Sequence, residues 1–339
     1  MPTNITFRTQ LLGGVAEFCT ACNLGIFAKS LNLVDLVVSL ARYREEGVHL
    51  NPQVYITNDV RSLMLMLPDG ESVQFGVTSS DGAGVKMALK KMAPLAIEGW
   101  SIYLQDKGEL EYGVFRGSGN PLSVATDDIL LQKVEPLHIV KVSRVADECV
   151  EIRASNGDFH HVFLDHRRED APPPLQHLER LVETVVSRCR PDIREPLTGV
   201  LKKTLHAAMR HSHGCLVAVT NMGKVPAALA KDGVVLATPV DFQSVVSQLK
   251  QGSIKADVLN SRTSLLKGMF GSDGIVVFDN SGRLLAYNCF VKVKGAGVIG
   301  GARRRAFETL RGKIGSGLVA AYVQSQDGQT DFQGIADGK

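Results

Sequence analysis

The chain has 339 residues, 44% of them hydrophobic, with 38 basic and 35 acidic side chains and a net charge of +3. That length suggests about two domains, and that apolar fraction excludes a disordered chain. The near balance of charge excludes a bulk argument for nucleic acid or a membrane surface, so any anion site has to come from local clustering.

Apolar spacing predicts helices over residues 7–24 and 31–45, the second closing on Arg42, Arg44, Glu45 and Glu46 before Gly47. Cys19 and Cys22 form a single CxxC. Without a second pair a four-ligand zinc site cannot close, so they read as small buried side chains in a helix. With six dispersed cysteines and no leader pattern, the expected compartment is a reducing cytoplasm. The early apolar run 24–41 contains Lys29 and Asp35 and is too polar to span a bilayer.

The period then falls to two. Residues 54–57 and 62–67 read as strands, Pro68-Asp69-Gly70 as a turn, and residues 72–77 as the return strand of a hairpin. Asp81-Gly82-Ala83 opens a helix running to about residue 96. Residues 100–105 and 109–115 form a second hairpin around Asp106-Lys107-Gly108. Three short strands follow at 137–142, 149–154 and 159–164, with Asn156-Gly157 turning between the last two. The adjacent His160 and His161 point to opposite faces of their strand and so do not chelate one ion. This half is α+β and hairpin-rich, and it carries no phosphate loop, catalytic triad or metal cluster.

Residues 165–174 are charged and then Pro172-Pro173-Pro174, a linker composition. The expected organisation is an N-terminal α+β domain over 1–168, a Pro-rich linker over 169–174, a second domain over 175–330 and a flexible tail over 331–339. In the second domain, residues 175–188, 193–210, 242–249 and 258–270 are helical in pattern, with Gly271 as a C-terminal cap. Residues 214–220, 234–238, 273–279, 283–290 and 317–323 read as strands, with Asn280-Ser281-Gly282 as one turn and Asp327-Gly328 as another. Strands that are apolar throughout, with helices between them, imply an α/β sheet covered on both faces.

Two stretches carry chemistry. Gly300-Gly301-Ala302-Arg303-Arg304-Arg305 runs from a glycine turn straight into a helix predicted over 301–313. The first turn of a helix has unpaired N–H groups and the positive end of the dipole, so arginines there are unfavourable until an anion arrives. Lys292 and Lys294 lie upstream, and Gly295, Gly297, Gly300 and Gly301 permit close backbone approach. A polyphosphate would satisfy the N–H groups and the guanidinium forks together. The plainer alternative is a solvated basic helix face. Little aromatic interleaving is present for stacking on bases, which makes a nucleic-acid adaptor the weaker reading. The second stretch is Asp273-Gly274 at the mouth of an apolar strand. Asp273 is either an ordinary turn residue or a group that orients a hydroxyl or holds a divalent ion beside phosphates.

The order of Gly214-Cys215-Leu216-Val217-Ala218-Val219, Asp273-Gly274-Ile275-Val276-Val277-Phe278-Asp279, Gly282-Arg283-Leu284-Leu285-Ala286-Tyr287-Asn288 and Gly301-Ala302-Arg303-Arg304-Arg305-Ala306 resembles the diadenylate cyclase domain of the DNA-integrity-scanning type, over about residues 201–324. The family's signatures are Asp-Gly-Ala at the strand and Gly-Thr-Arg-His-Arg at the helix start. The resemblance implies ATP as ligand, Mg or Mn as cofactor, cyclic di-AMP as product, and two domains facing each other in a homo-oligomer. It assigns Asp273 to the ribose hydroxyl, and Gly301, Arg303 and Arg305 to the triphosphate. The chain departs at Ile275 for Ala, Ala302 for Thr and Arg304 for His, and has Ser325-Gln326-Asp327 where the family often has Ser-Glu-Glu. Losing one pre-organised polar group commonly costs about 2.7–4 kcal/mol of barrier, so several losses together imply a retained pocket and a lost reaction. The expectation is a catalytically degenerate sensor of ATP or a cyclic dinucleotide, of the kind found in bacterial conflict systems. An active cyclase is the alternative, and neither a membrane nor nucleic acid is an expected partner.

Overall fold

The computed structural model describes residues 7–22, 31–45, 48–146, 148–164, 174–212, 214–221, 223–292, 301–325 and 329–335. The chain divides into two compact units, Met1–Gly119 with Val124–Glu169 and Asn120–Ser123 with Asp170–Lys339. Each is a mixed α and β unit built on one mixed sheet. Among the described residues no helix is long and apolar enough to cross a membrane.

The first unit opens with helices α1 (Phe7–Ala21) and α2 (Leu31–Ala41) and the short ladder β1 (Arg44–Glu45) with β2 (Val48–His49). Then come β3 (Gln53–Thr57), α3 (Val60–Leu65), β4 (Glu71–Thr78), α4 (Gly82–Met92), β5 (Ser101–Asp106), β6 (Leu110–Arg116), α5 (Thr126–Leu130), β7 (Ile139–Ala146), β8 (Cys149–Ala154) and β9 (Phe159–Phe163). Strands β3 to β9 form one sheet in the order β4-β6-β5-β3-β7-β8-β9, in which the β3–β5 pair is parallel. Alternation decides which side chain goes where. Val54, Ile56, Ile102, Leu104, Val140 and Val142 meet α1, α2 and α4 on one face. Tyr55, Tyr103, Phe115 and Ile139 meet Leu63 and Leu130 on the other. Cys19 and Cys22 are buried, and burial pushes both thiols up to about 11.

Three expectations are corrected here. Residues 62–67 are not a strand, because the Asp59 side chain accepts from Arg61 N at 3.1 Å and Ser62 Oγ at 2.6 Å and caps a helix. The hairpin with residues 72–77 therefore does not form, and β4 pairs with β6 instead. The helix expected over 31–45 stops at Ala41, and Arg44–Glu45 turns into a ladder.

His160 packs edge-on to Phe18 at 5.3 Å, and His161 lies 3.5 Å from Glu151 on the opposite face. Glu151 is buried. Its burial pushes the carboxyl up, but the neighbouring His161 ring and the charges of Arg153 and Lys141 outweigh it and hold the group below its usual value of 4.5. A carboxyl lowered in the folded state contributes stability that is present above pH 4.5 and is lost as pH falls through the lower folded value. Glu151→Gln is expected to lower the urea midpoint at pH 7 and to flatten the loss of stability on acidification. An unchanged slope would show that other carboxyls set the acid limit.

The second unit contains α6 (Pro174–Val185), α7 (Pro191–His211), β10 (Cys215–Thr220), α8 (Ala227–Ala230), β11 (Val234–Asp241), α9 (Phe242–Lys250) and α10 (Ala256–Gly271). It continues with β12 (Ile275–Asp279), β13 (Arg283–Cys289), α11 (Ala302–Arg311), β14 (Leu318–Gln324) and β15 (Thr330–Gly334). The sheet order is β11-β13-β12-β10-β14-β15, and β10 and β12 run parallel. The central strands are buried on both sides. Val217, Val219, Val276 and Phe278 join Leu205, Phe242 and Leu266 from the helices on one face. Leu216, Ala218, Ile275 and Val277 join Leu229, Phe307 and Leu310 on the other.

Residues 331–339, expected as a tail, begin inside β15. Phe332 pairs with Tyr322, is 6% exposed, and lies under the Arg180 guanidinium at 4.6 Å. Gly271 is the last helical residue rather than a left-handed cap, since Ser272 takes the C-cap at φ −78°. Pro174 opens α6, where its missing N–H costs nothing. The rest of the proline linker and the Asp327-Gly328 turn lie outside the described residues.

Candidate anion site at the starts of β12 and α11

After α10, the Ser272 hydroxyl donates to Met269 O at 2.6 Å and leads the chain into Asp273, which is exposed. Gly274 then turns at φ +103°. The turn is close: a Cβ on Gly274 would lie 2.9 Å from Asn288 Cα. Asn288 itself sits at φ +51°, and the β12–β13 ladder shifts register between Ile275 and Val277. Past this point β12 is buried throughout, so Asp273 marks the last polar position before the core.

Helix α11 is held against the sheet by Phe307 and Leu310, both fully buried. Gly301 is its N-cap at φ −67°, with no side-chain cap hydrogen bond and no acidic residue in the first turn. Among the described residues the first-turn N–H groups therefore have no side-chain acceptor, at the positive end of the dipole. Among the described residues a Cβ on Gly301 would meet nothing within 4 Å.

The arginines separate. Arg303 Nη2 lies 3.3 Å from Asp273 Oδ1, with side-chain exposures of 31% and 78%. Arg303 also acts on Cys215 at the start of β10, whose thiol burial pushes up to about 12 while the guanidinium pulls the other way. The cation thus stands over the amino ends of two adjacent parallel strands. Arg304 turns aside: it reaches Asp331 at 2.7 Å and Glu308 at 3.1 Å and lies over the Phe307 ring. Arg305 is exposed, and its side chain has no ion pair or hydrogen bond among the described residues. Gly300, Lys294, Gly295 and Gly297 lie outside the described residues, and Lys292 is exposed.

Among the described residues no group of three His, Cys, Asp or Glu side chains is placed to hold a metal ion. Mg²⁺ is commonly held by one or two carboxylates with substrate phosphates completing its shell. Asp273 fits such a metal only when it arrives with a nucleotide. A groove of about 570 Å³ lies at the opposite end of α11 between Glu308, Arg311, Ile314, Gln333 and Ile335. Helix α11, ten residues at 1.5 Å rise, is roughly 15 Å long, and the groove's Arg311 is held by Glu308 at 2.9 Å. Charge and open N–H groups, rather than cavity size, mark the Arg303 end.

The chain matches no protein-family model, no curated protein and no solved structure. What the site can do follows from its own chemistry. An exposed ion pair of this kind is worth about 0–1 kcal/mol, so Asp273 holds Arg303 only weakly. Sequence reasoning passed over Asp279, a carboxylate with only 2% of its side chain exposed at the far end of β12. The signal was present in Asp279-Asn280-Ser281-Gly282-Arg283, an acid four residues before a base across a tight turn.

Proposed function

We propose that the second unit is a diadenylate-cyclase-like, nucleotide-binding sensor module whose ligand is ATP or a cyclic dinucleotide. The observation that carries the reading is the meeting of Asp273 and Arg303, thirty residues apart, at 3.3 Å beside a helix start without a side-chain cap. A phosphate would take Arg303 from Asp273 and accept from the first-turn N–H groups. The released Asp273 would accept from a ribose hydroxyl, and Arg305 would close on the outer phosphates. Ala302 offers no hydroxyl to the phosphates. Arg304 is diverted to Asp331 and contributes little. Binding without turnover follows from that set.

The test is calorimetric titration of the whole chain with ATP and with cyclic di-AMP, with and without Mg²⁺ or Mn²⁺. Arg303→Ala is expected to weaken binding about 10- to 100-fold, as loss of a charge-assisted contact does. Arg304→Ala should change it less than about twofold, because its exposed pairs are worth little. Without metal, Asp273→Asn should strengthen triphosphate binding, because it removes the charge that competes for Arg303 while its amide oxygen still accepts from the ribose hydroxyl. Equal affinity in wild type and Arg303→Ala would sink the reading. Cyclic di-AMP formed by the wild type and abolished in Asp273→Asn would make the module a synthase instead.

A further inference from the structure

The seven-stranded sheet of the first unit ends on β4. Val73, Phe75 and Val77 are 45%, 49% and 48% exposed, and residues 71–75 are exposed without exception. Natural edges are blunted by lysine, proline, inward charges or bulges. From Ser72 to Thr78 this edge has no charge and no proline, and its one such device is the bulge between Gln74 and Gly76.

On one face of the sheet an acid and a base flank β4 toward its opposite ends. At one end, Glu71 pairs with Arg116 of β6 and keeps half of its side chain exposed. At the other, Gly76 pairs with Tyr112, whose hydroxyl accepts from Lys91 Nζ at 3.2 Å. Arg116, Val114 and Tyr112 alternate onto one face of β6, so Glu71 and Lys91 lie on that face too. Lys91 has no carboxylate partner among the described residues. A strand with an acid at its first residue and a base of α4 beside Gly76 near its other end is complementary to itself reversed.

We propose that a second copy of this chain pairs antiparallel along β4 across a two-fold axis. Such an interface is isologous: each Lys91 meets the partner copy's Glu71, and each β4 gives its outer N–H and C=O groups to the other. The three apolar side chains are covered in the same step, and two sheets become one without opening a further edge on that side.

The experiment is sedimentation velocity of the full chain from about 1 to 100 µM, the range in which a micromolar dimer dissociates. The expected result is a concentration-dependent shift to twice the chain mass. Phe75→Lys, at an exposed position where the fold loses no core contact, should raise the dissociation constant at least about tenfold while leaving the circular dichroism melt unchanged. Glu71→Lys and Lys91→Glu should each weaken the dimer, and the double swap should restore it. A monomer at every concentration overturns the proposal, including one that instead binds an unrelated extended peptide along β4. So does a dimer indifferent to Phe75→Lys, or a double swap no tighter than the single variants.

Discussion

Asp279→Ala is expected to destabilise the second unit by about 3 kcal/mol, lowering its melting temperature by roughly 6–12 °C. The carboxylate accepts from Ser281 N at 3.0 Å, Ser281 Oγ at 2.9 Å, Arg283 N at 3.0 Å and Arg283 Nε at 2.7 Å, with Arg283 Nη2 at 2.6 Å. Alanine leaves all of these donors without their acceptor inside a tight turn, and an unsatisfied buried donor costs about 1–3 kcal/mol. Arg283 is 38% exposed, so water recovers part of its loss and the full cost of breaking a buried pair does not apply. The turn is also a junction. Asn280 N donates to Thr220 O, Asn280 O accepts from Arg188 N, and Gly282 links to Val185 O and Phe242 N. Loosening it therefore frees the ends of β10, α6 and α9 together. Asp279→Asn keeps one acceptor and loses the charge, and should cost about half as much. Thermal melts and amide exchange across residues 275–289 measure both. An alanine variant melting within about 2 °C of wild type, a shift worth less than 1 kcal/mol, would show that the backbone junction holds without the carboxylate.

The parts of the fold legible in the sequence are those where one physical signal dominates. β10, β12 and β14 read as buried strands because they are apolar without interruption, and both sheet faces turned out to be covered. Residues 62–67 misread because Leu63, Leu65 and Leu67 alternate as a strand would, while the cap at Asp59 commits the chain to a helix before alternation can act. β15 was illegible for another reason. Thr330–Gly334 has little propensity of its own and becomes a strand only by pairing with β14. That miss hid a second: Asp331 arrives with β15, so nothing local revealed that Arg304 would turn to it and away from Asp273 and Arg303. The nearness of Asp273 and Arg303 was legible only through the order of elements. The glycine that matters for it was displaced by three residues, from the expected cap at Gly271 to the left-handed turn at Gly274.

Gly274→Ala joins stability to the site. At φ +103° an L side chain is strained by about 1–2 kcal/mol. Its Cβ would also stand 2.9 Å from both Cα and C of Asn288 and 3.0 Å from Cys289 O, all backbone atoms that cannot swing aside. Overpacking adds about 1–3 kcal/mol, so the expected total is about 3 kcal/mol. The strain relaxes where the structure is weakest. β12 is fixed by its core residues from Ile275 onward, whereas Asp273 is exposed and tied to Arg303 by one solvent-screened pair. The displacement therefore falls on Asp273, and nucleotide affinity should drop along with the melting temperature. Gly301→Ala is the matched control. It adds the same methyl at the other side of the site, at φ −67° and with nothing within 4 Å among the described residues, and should cost less than about 1 kcal/mol. Melts of both variants beside titrations with ATP decide the matter. If Gly274→Ala loses stability but binds nucleotide as wild type does, Asp273 is not part of the binding surface, and Arg303 holds its ligand without it.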